Sequence, residues 1–221
     1  MRRAGNGVPL FALRPRLAVT ATEAFMPHTF ANTMFSDASK QLQQRFGSRA
    51  SYERMSRFGE GEQSLGLYET EFIAARDSFY MSTVTPDGWP YIQHRGGPVG
   101  FLKVIDEHTL AFADYSGNKQ YISAGNLSVN DRFALFLMDY PNRTRLKIIG
   151  HAQIVEPGED RALEAQVAPL KSGVNRGPKI ERIYRLNVVG FDWNCNQHIT
   201  QRFSIEELAM LDQMQKEKRP R

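Results

Sequence analysis

Cysteine is nearly missing from this chain: Cys195 is the single one among 221 residues. No intramolecular disulfide framework can form, which suits a reducing, cytoplasmic setting. Long apolar runs are missing too. The run at 133–138 is far too short to cross a bilayer, so no membrane span is expected. An excess of one charge is also lacking. The net charge is +4, and residues 1–33 hold +3 of it through Arg2, Arg3, Arg14 and Arg16 against Glu23, leaving +1 for the rest. A nearly neutral body without a basic stripe argues against a nucleic-acid partner. The signature loops of nucleotide and hydrolase chemistry do not occur: there is no Walker loop, no G-x-S-x-G, no H-E-x-x-H and no G-x-G-x-x-G. Histidines at 28, 94, 108, 151 and 198 lack metal-ligand spacing. Cys195 and His198, three apart, supply only two ligands, so no metal is expected. Cys195 also has no identifiable partner to activate it as a nucleophile.

What is present reads as an ordinary globular chain, 41% hydrophobic and 24% charged, with room for one large β domain. Residues 1–33 are basic and without helical period. They read as an unstructured tail or an upstream start, with initiation near Met26 or Met34. The competing reading is a targeting peptide, whose apolar stretch Arg14 and Arg16 would interrupt. A helical segment follows over 34–69. One helix is expected at 35–46, with Ser36 or Asp37 as cap, Phe35, Leu42 and Phe46 on one face and Gly47 as stop. Another is expected at 51–58, and a third at 70–76 with Thr70 as N-cap and Phe72 and Ile73 inward.

Beyond residue 78 the texture becomes strand-like. Strands are expected at 79–85 and 89–93 around the turn Pro86-Asp87-Gly88, then at 99–105 and 109–113 around Asp106-Glu107-His108. A short helix is expected at 118–127. Further strands follow at 132–138 and 146–155, a helix at 159–168 with Leu163 and Val167 inward, and a long last strand at 180–193. Residues 171–178 are the most loop-like interior stretch. Ser204-Ile-Glu-Glu207 is a capping box that opens a final helix over 204–221, with Ile205, Leu208 and Leu211 on one face. Six or seven strands joined mostly by hairpins predict a mainly β chain with flanking helices, built as a closed or split antiparallel β-barrel. The domain body is expected over 70–203.

Four stretches could carry chemistry. The first, 90–103, packs Gly96, Gly97 and Gly100 into five residues, which marks either a barrel corner or a bare stretch of backbone for a flat ring. The second, 113–119, joins a strand end to a helix start. Its open N–H groups, with Ser116 and Lys119, could hold a phosphate, although a plain capped helix looks much the same. In the third, 143–150, alternation puts Arg143, Arg145 and Lys147 on one face, either solvated or facing a ligand. The fourth, 191–203, is dense in polar and aromatic groups. Its Trp193 could stack on a ligand or fill a core or interface.

In this order, the runs R-G-G-P-x-G-F-L-K, G-N-K, R-L-K-I-I-G-x-A and D-W-N-C-x-Q-H-I-T-x-R-F resemble the FMN-binding split-barrel family of pyridoxamine 5′-phosphate oxidase. The resemblance covers about 60% of the chain. It implies FMN as cofactor, bound between the two subunits of a homodimer. The oxidase's flavin-side strand corresponds to 98–103, which implies backbone contacts from Val99, Gly100, Phe101 and Leu102. Pro98 stands at its arginine position, so Arg95 is the substitute phosphate ligand. Its R-K phosphate pair corresponds to Asn118 and Lys119, next to Asp114 and Ser116. Its flavin-contacting glutamine falls on Arg145, and its late tryptophan and arginine on Trp193 and Arg202. Lys103 matches a substrate lysine.

The oxidase's terminal substrate pattern is replaced here by a charged helix, and its substrate-phosphate residues find no match between Leu127 and Arg143. Pyridoxamine phosphate is therefore not the expected substrate. The expected activity is an FMN-dependent oxidoreductase that moves a hydride between a small molecule or nicotinamide donor and an acceptor. The alternatives are a non-catalytic flavin carrier or redox sensor, a barrel holding a deazaflavin or heme, and an assembly scaffold without cofactor. No residue reads as a general acid or base.

Overall fold

The computed structural model describes residues 29–58, 63–168, 179–193 and 197–217. Most of residues 1–33, the loop at 171–178 and Cys195 lie outside the described residues.

Alternation drives the sheet. In β1 (Ser78–Val84), Phe79, Met81 and Thr83 point inward; in β5 (Arg132–Asp139), Phe133, Leu135 and Leu137 do so. β2 (Pro90–Gly96), β3 (Lys103–Asp106), β4 (Thr109–Tyr115), β6 (Thr144–Val155) and β7 (Ile180–Trp193) complete an antiparallel sheet ordered β2-β1-β5-β6-β7-β4-β3. The sheet curls around one apolar core and leaves β2 and β3 as unpaired edges, the architecture of a split barrel. A column of rings runs through that core. Phe101 stacks on Phe79 at 5.3 Å, Phe79 meets Phe112 edge-on, and Phe112 stacks on Tyr184 at 4.9 Å.

Residues 97–102 link the two edge strands and bury Phe101 and Leu102 in the core. They were expected to begin a strand at 99, but the strand starts only at Lys103. Phe101 N donates to Pro98 O in a tight turn, and Gly100, at φ +73°, donates to Arg76 O. Gly97 lies under the Phe101 ring, where a Cβ would come within 2.7 Å of it. The glycines thus make a close-packed turn, not a bare strand.

The helices cover the ends. α1 (Phe30–Met34), capped by Thr29, appears where a tail was expected. Its Phe30 N donates to Gln63 Oε1, which also accepts from Phe191 N, so Gln63 pins α1 to β7. α2 (Asp37–Arg45) has Ser36 as its cap, and α3 (Arg49–Phe58) follows. The expected apolar face of α2 is not buried: Leu42 and Phe46 are exposed. α4 (Leu67–Ala74) starts three residues before the expected Thr70. Glu69 accepts from Gly66 N, while Thr70 donates back to Gly66 O instead of capping; Phe72 and Ile73 are buried as expected. α5 (Ile122–Val129) begins four residues later than expected, because Lys119 and Tyr121 sit at φ +60° and +54°. α6 (Arg161–Val167), capped by Asp160, buries Leu163 and Val167 against a second small core with Ala111, Val155 and Ile183. α7 (Ile205–Glu217) opens on the expected capping box, with Ser204 N donating to Glu207 Oε2 and Glu207 N to Ser204 Oγ. Its Ile205, Leu208 and Leu211 remain exposed. Among the described residues no helix is long and apolar enough to cross a membrane.

Candidate functional site

The ring column ends at a polar cup. One face of β2 brings Tyr91, Gln93 and Arg95 to it. The end of β4 adds Asp114 and Tyr115, and the start of β7 adds Glu181, Arg182 and Tyr184. The far wall is the loop 117–121 with the first turn of α5, Ile122, Ser123 and Ala124. The cavity is about 230 Å³.

A bulge explains why neighbouring residues share the cup. Asp114 pairs with Arg182 and Tyr115 with Ile180, so Glu181 is an extra residue on β7. A two-against-one step of this kind turns consecutive side chains toward one side. Glu181 and Arg182 therefore face the same space, while on β4 Tyr115 borders the cup and packs against the second small core.

The electrostatics centre on Asp114. Its Oδ1 accepts from Arg95 Nη1 at 2.7 Å and its Oδ2 from Arg182 Nη1 at 3.3 Å. Arg182 Nη2 also reaches Glu181 Oε2 at 3.3 Å. The Arg182 guanidinium lies 4.7 Å from the Tyr121 ring, and that of Arg95 lies 5.4 Å from Tyr184. Burial alone would lower the pKa of Arg182, but Tyr184 and the carboxylates of Asp114 and Glu181 outweigh it and the pKa rises. Burial, reinforced by Asp114, pushes the Tyr184 phenol up, so it stays neutral. Three cations, Arg95, Lys119 and Arg182, face two carboxylates, which leaves the cup with net positive charge.

The first turn of α5 opens on this space. Its N-cap, Tyr121, makes no side-chain bond to it, so no capping side chain shields those N–H groups where Ile122, Ser123 and Ala124 line the cup. Asn118 Oδ1 accepts from Gln120 N and holds the turn that carries Lys119. Ser123 Oγ donates to Gln93 Oε1 at 3.1 Å, and Asn126 Nδ2 to the buried Thr83 Oγ1 at 2.9 Å. These bonds fix α5 to β1 and β2. Cations, open N–H groups and a rigid frame are the chemistry of an anion site.

Four of the expected residues meet here: Arg95, Asp114, Asn118 and Lys119. The others stand elsewhere in the chain. Ser116 extends the ladder by donating from its N–H to Lys179 O. Phe101 and Leu102 are core residues, Gly100 is in the turn, and Val99 is 69% exposed. The backbone N–H groups of Gly100 and Phe101 are already bonded to protein carbonyls. Lys103 starts β3, paired with Ala111. The Arg145 guanidinium packs on Phe136 at 5.4 Å, and that of Arg202 on Tyr140 at 5.2 Å. Trp193 Nε1 donates to Glu69 Oε1 at 2.9 Å while its ring packs on Tyr68 and Phe72, so it ties β7 to α4. Lys147, expected beside Arg145, pairs with Asp192 at 2.6 Å.

Sequence reading missed Arg182, Glu181, Tyr184 and Gln93, and it placed the helix start with the open N–H groups at 118 instead of 122. The alternations Tyr91, Gln93, Arg95 and Arg182, Tyr184, Leu186 were usable signals; the one-residue bulge that adds Glu181 leaves none. Among the described residues no group of three or more histidine, cysteine or acidic side chains could hold a metal ion.

A family model described as pyridoxamine 5′-phosphate oxidase matches residues 69–182, from α4 to the start of β7. Three solved structures are similar. An FMN-binding protein from Syntrophomonas wolfei is 15% identical, with 69% of this chain and 97% of that one covered and a TM-score of 0.43. General Stress Protein 26 from Bacillus anthracis is 17% identical over 56% and 88%, TM-score 0.43. HupZ from Group A Streptococcus is 12% identical over 62% and 99%, TM-score 0.43. No curated protein matches.

Proposed function

The chain belongs to the pyridoxamine 5′-phosphate oxidase family, and from that premise we propose that it binds FMN between two copies of itself and serves as an FMN-dependent oxidoreductase. The observation that carries this reading is the cationic cup inside the matched segment, where Arg95, Lys119 and the open first turn of α5 converge.

The residues present fit a phosphate-bearing cofactor. Arg95 Nε is buried and meets no acceptor among the described residues, as expected of a donor that awaits an anionic oxygen. Lys119 and the first-turn N–H groups would hold the phosphate from the opposite wall. Asp114 would not touch it, since like charges repel; its part is to fix the arginines. At about 230 Å³ the cup is smaller than the roughly 300 Å³ at which ligand pockets begin, so the flat ring system would extend beyond it. A second copy supplies the missing wall in this reading. Support comes from the outer face of β1, β5 and β6, where Tyr80, Ala134, Phe136 and Ile149 border an apolar cavity together with Ile92 of β2.

When bound, FMN supplies two-electron chemistry, accepting a hydride from a donor and returning it to an acceptor. The chain's own residues bind, orient and screen it. Arg145 is assigned the pyrimidine end of the ring, Arg202 a cofactor contact and Lys103 a substrate contact, all through the family resemblance; Trp193, which the resemblance also points to, is already engaged by Glu69, Tyr68 and Phe72. A reconstituted protein that oxidises NADH or NADPH with an added acceptor, and loses turnover at limiting FMN when Lys119 becomes Ala, bears this out. Absence of turnover with every donor, despite full loading, overturns the enzyme. It would favour a carrier. One observation already leans that way: the cup's lining includes no histidine, and both of its carboxylates are bonded to arginine.

A further inference from the structure

We infer that Arg182 is the second phosphate cation of the cup, supplied from β7 to replace the one that Asn118 does not provide. The inference rests on the cofactor reading above and deepens it. The loop on the α5 side carries one cation, Lys119, followed by the turn that Asn118 holds. Without Arg182, the two carboxylates of the cup would cancel Arg95 and Lys119, and a phosphate would meet a neutral surface.

Three independent features aim Arg182 at that place. Arg182 pairs with Asp114 in register and stands two residues from Tyr184, so the alternation of β7 aims it into the cup, and the bulge just beyond adds Glu181 beside it. The Tyr121 ring lies 4.7 Å from its guanidinium, Tyr121 is the left-handed N-cap that opens α5, and Arg182 lines the same cup as the first turn of that helix. Its ties to Asp114 and Glu181 are both 3.3 Å, against 2.7 Å for the Arg95 bond to Asp114. Together with the bond to Tyr184, these longer bonds still leave part of its five N–H donors for a ligand. The side chain is only 14% exposed, so its charge acts in a poorly screened place.

The consequence is a choice of ligand by its phosphate end. FMN and riboflavin carry the same ring and ribityl chain and differ only there. Titrating each into the wild type, Arg182→Gln and Arg182→Lys separates the roles. The expected result for Arg182→Gln is a weakening of FMN on the order of tenfold to a hundredfold, with riboflavin changed by less than about threefold. Arg182→Lys should recover part of the loss, since it keeps the charge and loses the fork. Equal weakening of both ligands would make Arg182 a structural bridge and overturn the inference, as would an unchanged FMN affinity. Inorganic phosphate, titrated in parallel, keeps the two readings apart. A wild type that takes up neither flavin but binds phosphate through Arg182 would sink the flavin reading and leave this one standing. A wild type that binds neither flavin nor phosphate removes both.

Discussion

Replacing Asp114 by Asn should destabilise the free protein and yet make it more responsive to phosphate. Asp114 separates two guanidinium groups, Arg95 at 2.7 Å and Arg182 at 3.3 Å, and all three side chains are 13–14% exposed. Removing one partner of a buried ion pair costs about 3–5 kcal/mol. The lower end applies here. An Asn oxygen can keep one of the two bonds, and the rings of Tyr184 and Phe112 lie 5.4 and 5.8 Å from the Arg95 guanidinium. At about 2–4 °C per kcal/mol for a chain of this size, 3 kcal/mol lowers the melting temperature by about 6–12 °C. The cup also gains a unit of positive charge, so a bound anion replaces what Asn lost and stabilises the variant by mass action. The assay is thermal unfolding by circular dichroism in phosphate-free buffer, repeated with increasing phosphate. The gap between the two proteins should narrow as phosphate rises. A drop below about 2 °C, or the same phosphate response in both, would refute the claim that the charge of Asp114 fixes the two arginines.

Three other outcomes follow from the same geometry. Trp193→Phe removes the 2.9 Å bond to Glu69 and should cost about 1 kcal/mol by denaturant unfolding while FMN affinity stays unchanged; the reverse pattern would make Trp193 a cofactor contact. Gly150→Ala puts a Cβ into the Asn187 carbonyl oxygen at the β6–β7 bulge, where neither backbone can yield, so a loss of about 3 kcal/mol or of soluble protein is expected. The Leu163 N–H holds the Asp160 carboxyl below its ordinary value, with Arg185 also bonded to it. This stabilisation is present above the unfolded value near 4 and is lost as pH falls through the depressed one. Stability measured between about pH 5 and pH 2 should therefore fall less steeply in Asp160→Asn than in the wild type.

Much of the barrel was legible because its strands obey simple rules. Phe79 and Met81, and Phe133, Leu135 and Leu137, alternate cleanly, and the long strand 180–193 was read with the bounds that the structure has. Pro86-Asp87-Gly88 and the capping box at Ser204 announced themselves by turn and cap chemistry. The segment 97–102 misled because clustered glycines signal both bare strands and tight turns. The positive φ of Gly100 and the ring over Gly97 decide for the turn. The start of α5 was misplaced because Lys119 and Tyr121 adopt left-handed angles that neither residue type advertises. Within the site, Arg95 and Lys119 could be found from local pattern. Arg182 lies on the alternating face of β7 with Tyr184, Leu186 and Val188, but no motif marks that face as a site; the bulge, visible only in the pairing with β4, adds Glu181.

The most direct test of the account is the visible absorbance of the chain purified without added flavin and again after reconstitution with excess FMN and removal of the unbound fraction. A flavin spectrum, with the heat-released chromophore migrating as FMN, is the predicted result. A spectrum that stays featureless after reconstitution, or one that shows a different chromophore, would contradict it.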